Sequence, residues 1–595
     1  MFRFRIRLAS LALLSGLAVG APATEADKSD SLARGFAQPP NSAAPRVWWH
    51  WMNGNISKEG IKLDLEWMKR IGIGGFQTFD ASLGTPQVVD KRLVFMTPDW
   101  KDAFSYATNL ADQLGLEMAI AGSPGWSESG GPWVAPADAM KKIVWSEISI
   151  PGGKPYTGVL PRPPQVSGPF QNKPRSEFLN FNPGDGKPPP VYYADTAVIA
   201  FRIADGPTSV RDLAPKLTAS DGTPDFALLT DGEVTKSFNL PIGAGGAPAW
   251  IQYEFATPQT IYGVTLGVEH QGLPLFLGGV PTLAELESSD DGYEFRKISS
   301  IPTERGGLAQ DPGQNTVAFA PTSARFFRVT LNREARATPA IDLGPLGLPP
   351  APPVTEYRVT EFLLHTAAVV NHFEEKAAYA VAPDLYAAPT PALPAAAAIA
   401  GAEVLDITDH MAADGTFTWS PPPGRWMVLR FGYSLTGQKN GPASPEATGL
   451  EVDKLNRSAV RAYVDQYLNQ YESASKGLMG KRGVEFVITD SWEAGAQNWT
   501  QDMFAEFKRR RGYDLHPWMP VLTGRVVESA EASDRFLWDL RETLGELVVE
   551  NHYAQLAEAL HERGMGLYSE SHESGRAFIG DGMSVKRRAT VPMGA

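Results

Sequence analysis

The sequence predicts an α/β fold with an all-β interruption: a (β/α)8 TIM-type barrel, incomplete here, broken by β-sandwich insertion domains. Three observations predict it. Apolar strands alternate with amphipathic helices over residues 45–145 and again over 438–595. Between them, over 146–437, strands are short and Pro and Gly punctuate heavily. Acidic residues recur where the barrel-type strands end.

In chain order, residues 1–23 read as a secretory signal: Arg3, Arg5 and Arg7, an apolar run from Leu8 to Val19, and the Ala21-Pro22-Ala23 cleavage pattern. That apolar run is too short to span a bilayer, and no later stretch qualifies, so no membrane span is expected. The expected location is secreted or periplasmic. Residues 24–44 are a small, polar leader. The first strand is Val47 to Met52, ending at Asn53-Gly54-Asn55. Ser57 is placed to cap a helix whose inward face is Ile61, Leu65, Met68 and Ile71. Phe76 to Asp80 is the second strand. A helix started by Asp99 then buries Phe104, Ala107, Ala111 and Leu114, and Glu117 to Ala121 is the third strand.

Within the insertion, residues 205–366 are expected as one all-β unit, similar to a discoidin-type, carbohydrate-binding-like sandwich. Its strands are Trp250 to Phe255, Ile261 to Leu266 and Phe326 to Leu331. After the insertion, Leu450 to Asp453 is expected as a short strand and Phe486 to Asp490 as another. A long helix over 533–562 stops at Gly564, and Gly566 to Glu570 follows as a strand. Three strands before the insertion and three after it are fewer than the eight of a closed barrel, so the sequence reads as truncated after Ala595, and inactive or unstable as it stands.

Composition excludes several classes. The net charge of −13 opposes nucleic-acid binding, which needs Lys and Arg clusters. The absence of cysteine removes thiolate zinc sites and thiol nucleophiles. No His-Glu-x-x-His, P-loop, nucleophile-elbow or dinucleotide pattern is present.

In a βα barrel, chemistry sits at the C-terminal strand ends. Those ends carry Asn53, Asp80, Glu128, Glu451, Asp453, Asp490, Glu493, Glu570 and Glu573. Clustered carboxylates suit acid/base work at a sugar acetal, or a hard cation such as calcium. In Asp490-Ser491-Trp492-Glu493 an aromatic ring beside Glu493 is expected to keep that carboxyl from water and favour its protonated form, as a general acid requires. Tyr568-Ser569-Glu570-Ser571-His572-Glu573 offers two further carboxylates, with His572 as a supporting hydrogen-bond partner. Trp48, Trp49, Trp51, Trp126 and Trp133 suit either sugar platforms or core, and Trp133, after Gly130-Gly131-Pro132, is the better platform candidate.

Six co-linear segments together resemble glycoside hydrolase family 106, the α-L-rhamnosidases. They are Trp48 to Asn55, Gly72 to Asp80, Gly122 to Val134, Gly449 to Lys454, Asp490 to Gly495 and Tyr568 to Met593. The resemblance implies an interrupted barrel and calcium-assisted, inverting, exo-acting removal of a terminal α-L-rhamnosyl group from a carbohydrate. It implies Glu493 as acid and Glu573 or Glu570 as base, unless the base lies beyond Ala595. Asn53, Asp80, Trp133, Glu451, Asp453, Asp490, Trp492 and His572 are the implied substrate-binding set, with Glu570 an alternative calcium ligand. The rival expectations are a non-catalytic glycan-binding protein and a related glycosidase for another sugar.

Overall fold

The computed structural model describes residues 25–175, 188–204, 206, 209–243, 247–271, 280–303, 311–333, 354–380, 388–571 and 579–594. The signal segment 1–23, His572 and Glu573 lie outside these residues.

Six strands build one parallel sheet: β1 (Arg46–Met52), β2 (Gly75–Ala81), β3 (Glu117–Ala121), β4 (Val484–Ser491), β5 (Gly566–Ser571) and β6 (Val591–Pro592). Their spatial order equals their chain order. The sheet is open. β3 and β4 are separated by the whole insertion yet pair directly, with Met118 opposite Val484 and Ala121 opposite Ile488.

Local chemistry explains the flanking helices. In α1 (Lys58–Arg70) the Ser57 side chain accepts from Gly60 N at 3.0 Å, which satisfies one free N-terminal donor. Ile61, Leu65 and Met68 face inward. Ile71, expected on that face, lies past the helix end and is exposed, because the helix closes there. α2 (Pro98–Leu114) starts two residues earlier than expected, capped at Thr97 in place of Asp99, with Pro98 in the first turn, and Gly115 ends it at φ +64°. These helices and α3 (Arg457–Ser475) share a core of Trp51, Phe76, Trp100, Phe104, Met118 and Tyr467 on one side of the sheet.

Two expectations change. Leu450 to Asp453 is not a strand of the sheet. Leu450 and Val452 make only isolated bridges, to Lys439 and Ala139, because the chain turns at once into α3, capped by Asn456. The third late strand is instead Val591–Pro592. The long helix is interrupted: α4 (Ala530–Leu547), a π-turn (Val548–Ala554), then α5 (Gln555–Glu562). Residues 25–37 of the leader are helical.

The insertion is antiparallel throughout. One seven-stranded sheet centres on Ala249–Val268, paired with Asn315–Arg333 and Glu356–His365. A four-stranded sheet holds Val404–Asp406, Tyr193–Ile203, Arg425–Leu435 and Lys141–Pro151. Its Ile143, Phe431 and Tyr433 share a core with Phe536, Leu540 and Leu544 of α4, so the insertion is packed onto the βα part. Among the described residues, no helix is long and apolar enough to cross a membrane.

Candidate active site

Strand alternation decides which end residues reach a common space. On one face, Val487, Leu567, Met118 and Ile120 pack under the helices. On the other, Phe79, Ala119, Ala121, Ile488 and Tyr568 form a second cluster with Trp126, Phe486 and Met593. Asp490 and Glu570 belong to this second face, two residues beyond Ile488 and Tyr568. Register makes them neighbours: Thr489 lies opposite Ser569 and Ser491 opposite Ser571.

Asp490 and Glu570 are in side-chain hydrogen-bond contact. Burial, then the Glu570 and Glu128 carboxylates, push Asp490 up to about 7, although the Ser491 N–H acts the other way. Two touching carboxyl groups cannot both ionise freely, so the pair holds one proton, or a cation, near neutrality. Glu570 is 5% exposed. The residue after it, Ser571, has φ +76°, a left-handed conformation that costs a non-glycine residue about 1–3 kcal/mol and that gathers at functional sites.

Glu493 is exposed beside this pair, with Ser491 Oγ 3.5 Å from its Oε1. The expected shielding by Trp492 is not found. Trp492 turns into the core, 8% exposed, donating its Nε1–H to Gly495 O at 2.9 Å and lying 5.1 Å from the Lys454 ammonium. Adjacent residues leave the strand end in opposite directions, so the ring and the carboxyl part company.

The other expected contact residues are held internally. Asp80 faces the helices, accepts from Trp100 Nε1 at 2.8 Å, and is pushed up to about 7 mainly by burial. Trp133 stacks on Tyr467 of α3 at 5.8 Å, joining the outer core in place of a platform. Glu451 pairs with Lys454 and accepts from Ser129 Oγ at 3.1 Å. Asp453 is fully buried, accepting from Lys141 at 3.0 Å, Gln497 at 2.5 Å and Thr500 at 2.8 Å. The Asn53 amide donates to Leu83 O at 2.5 Å and Thr85 O at 2.9 Å, tying down a loop.

Two residues, His50 and Tyr553, were not among those expected, and Glu128, expected only as one of the strand-end acids, joins them. His50 lies on the carboxylate face, stacked on Phe79 at 5.2 Å, and accepts from Trp126 Nε1 at 3.0 Å. Burial lowers its pKa. Alternation from Trp49 and Trp51, which face the helices, was a sufficient signal for it. Glu128 is 3% exposed and receives the Tyr553 hydroxyl. Tyr553 sits in the π-turn, which no sequence pattern announced. Among the described residues, no three Asp, Glu or His side chains converge as a metal-ligand set.

The geometry is that of paired and neighbouring carboxylates at parallel-strand ends, over an aromatic floor. A solved rhamnosidase from Novosphingobium sp. PP1Y is 41% identical and superposes at a TM-score of 0.80, covering 94% of this chain and 49% of that one. A curated protein of Formosa agariphila, provisionally named a beta-glucuronidase, is 28% identical over 535 residues, covering 90% of this chain and 30% of its own length. The chain thus spans about half or less of the length of these relatives. Residues 37–595 match the family Glyco_hydro_106, described as alpha-L-rhamnosidase, and the chain belongs to that glycoside hydrolase family.

Proposed function

We propose that this chain carries the catalytic carboxylates of an exo-acting, inverting α-L-rhamnosidase, exported from the cell, whose six-stranded sheet is part of a closed (β/α)8 barrel. The observation that carries the reading is the Asp490–Glu570 contact on the aromatic face of the sheet, with Glu493 exposed beside it.

In this scheme Glu493 gives its proton to the glycosidic oxygen as the C1–O bond breaks. A second carboxylate, Glu570 or Glu573, takes a proton from the water whose oxygen bonds to C1 on the opposite face. Acid and base then stand roughly 6.5–9.5 Å apart, leaving room for that water. Asp490, in hydrogen-bond contact with Glu570, orients it.

Calcium is the cation that the family resemblance implies. Asp490 and Glu570 offer hard oxygen donors side by side, but among the described residues no third acidic or histidine side chain joins them. Asp490 and Glu570 would hold it. When bound, the ion supplies positive charge against these carboxylates and open positions for sugar hydroxyls.

The test is release of L-rhamnose from an aryl α-L-rhamnoside by this chain. The β-anomer is expected first by NMR, and Glu493→Gln is expected to lower the rate on the order of 10²-fold. Near-full activity of Glu493→Gln contradicts the acid assignment. The curated relative's name favours a second reading, a glucuronidase of the same architecture. An aryl β-glucuronide in the same panel separates the two sugars.

A further inference from the structure

His50 has no role in the scheme above, yet it stands on the face of the sheet that carries the carboxylates. It lies opposite Phe79 of β2, and its ring stacks on that phenyl at 5.2 Å and 19°. Phe79 shares a cluster with Ala121, Ile488 and Tyr568, which pair in turn across β3, β4 and β5. Asp490 and Glu570 follow two residues beyond Ile488 and Tyr568. Two strand residues span about 7 Å, so His50 sits one such step below the level of the carboxylates.

The sheet also curls. Laid flat, β1 and β5 would stand four strand spacings apart, roughly 19 Å. Yet Arg46 of β1 and Tyr568 of β5 bond the same carboxylate, Glu117 of β3, and are in hydrogen-bond contact with each other. Curvature therefore turns this face of β1 toward β4 and β5.

The hydrogen bond from Trp126 fixes the state of the imidazole. An indole N–H only donates, so His50 Nε2, 3.0 Å from it, is the acceptor and carries no proton. Protonating it would set two donors face to face, and burial also lowers the pKa of the ring. The proton of the neutral ring is then on Nδ1, a donor. Among the described residues no acceptor meets Nδ1, and the other contacts of the ring are aromatic. Trp48, 46% exposed, lies 5.8 Å from it and 5.0 Å from Phe79. One placed donor on an apolar wall is how small-molecule sites fix orientation. A 6-deoxy sugar offers such a wall a methyl group next to a hydroxyl.

We propose that His50 is a substrate-binding residue: its Nδ1–H donates to a hydroxyl of the terminal sugar, while Trp126, held by Nε2, and Trp48 supply the apolar surface beside it. This rests on the rhamnosidase reading of the carboxylate face.

The experiment is steady-state hydrolysis of an aryl α-L-rhamnoside by wild type, His50→Phe, His50→Asn and His50→Gln, with calorimetric titration of L-rhamnose and unfolding midpoints for each. His50→Phe keeps a ring and loses the donor. It is expected to raise KM and the L-rhamnose Kd on the order of tenfold, with a smaller change in kcat. Asn places its amide N–H near the position of Nδ1 and is expected to recover most of the loss. Gln places its amide near Nε2 and is expected to recover little. Unchanged KM and Kd in His50→Phe overturn the proposal. Recovery by Gln and not by Asn, tracking the unfolding midpoint, marks a histidine that only holds Trp126, and overturns it too. A wild-type chain that neither binds L-rhamnose nor cleaves the rhamnoside overturns this proposal and the rhamnosidase reading together, whereas an active wild type with an unaffected His50→Phe overturns this proposal alone.

Discussion

Two sets of acidic residues in this molecule come from similar stretches of sequence and do opposite things. Glu451 and Asp453 follow a short apolar run, are 1% and 0% exposed, and are met by Lys454 and Lys141. Asp490 and Glu570 also end apolar runs, but they meet each other and the charge of Glu128. The first set is neutralised and ties the insertion to the barrel-type part: Lys141 starts an insertion strand, and Asp453 precedes α3. The second set carries an electrostatic tension that only a proton, a cation or substrate relieves. Residue type does not distinguish the two sets. The partner's charge does, and strand alternation chooses the partner.

The comparison can be broken first at its structural half. Lys454→Met leaves Glu451 buried and unpaired, and is expected to cost about 3–5 kcal/mol in denaturant unfolding. A near-neutral result places Glu451 in the reactive set instead.

The reactive half has a pH signature of the opposite sense. The folded-state pKa of Asp490 is raised to about 7 from its ordinary value near 4. Between these pH values the folded state binds more protons than the unfolded one, so stability falls as pH rises. In EDTA, wild type is expected to lose roughly 1–3 kcal/mol to this group across that window, after solvent screening. Asp490→Asn is expected to flatten that slope and to be the more stable protein at pH 7. A slope unchanged by the substitution contradicts the assignment.

The smallest expected effect concerns Trp492. Trp492→Phe removes the bond to Gly495 O and some packing, about 1–2 kcal/mol. The pH dependence of rhamnoside hydrolysis is expected to stay the same. A shifted profile restores the ring to the chemistry of Glu493.

Much of the architecture was legible because periodicity reports burial directly. β1, β2, β3, β4 and β5 and helices α1 and α2 follow from apolar spacing and caps such as Ser57. What failed has physical reasons. Leu450 to Asp453 has strand composition, but it pairs through isolated bridges to Ala139 and Lys439 and not with the parallel sheet. Val591–Pro592 pairs through two residues, too few to show a pattern. The π-turn is a backbone rearrangement within a helical sequence, so His552 and Tyr553 gave no warning. The acidic strand ends were legible as a set, yet counting them as equals overlooked alternation. Asp80 and Asp490 both end strands, but Asp80 lies under Trp100 while Asp490 meets Glu570. The adjacency of Trp492 and Glu493 was read as contact, whereas neighbours at a strand end diverge. His572 and Glu573 lie outside the described residues.

The most direct test of the central claim is the initial rate of L-rhamnose release by Asp490→Asn beside wild type, at equal folded protein. The account predicts a loss of at least about a hundredfold in rate without loss of stability at pH 7. An Asp490→Asn protein that releases rhamnose at nearly the wild-type rate contradicts it.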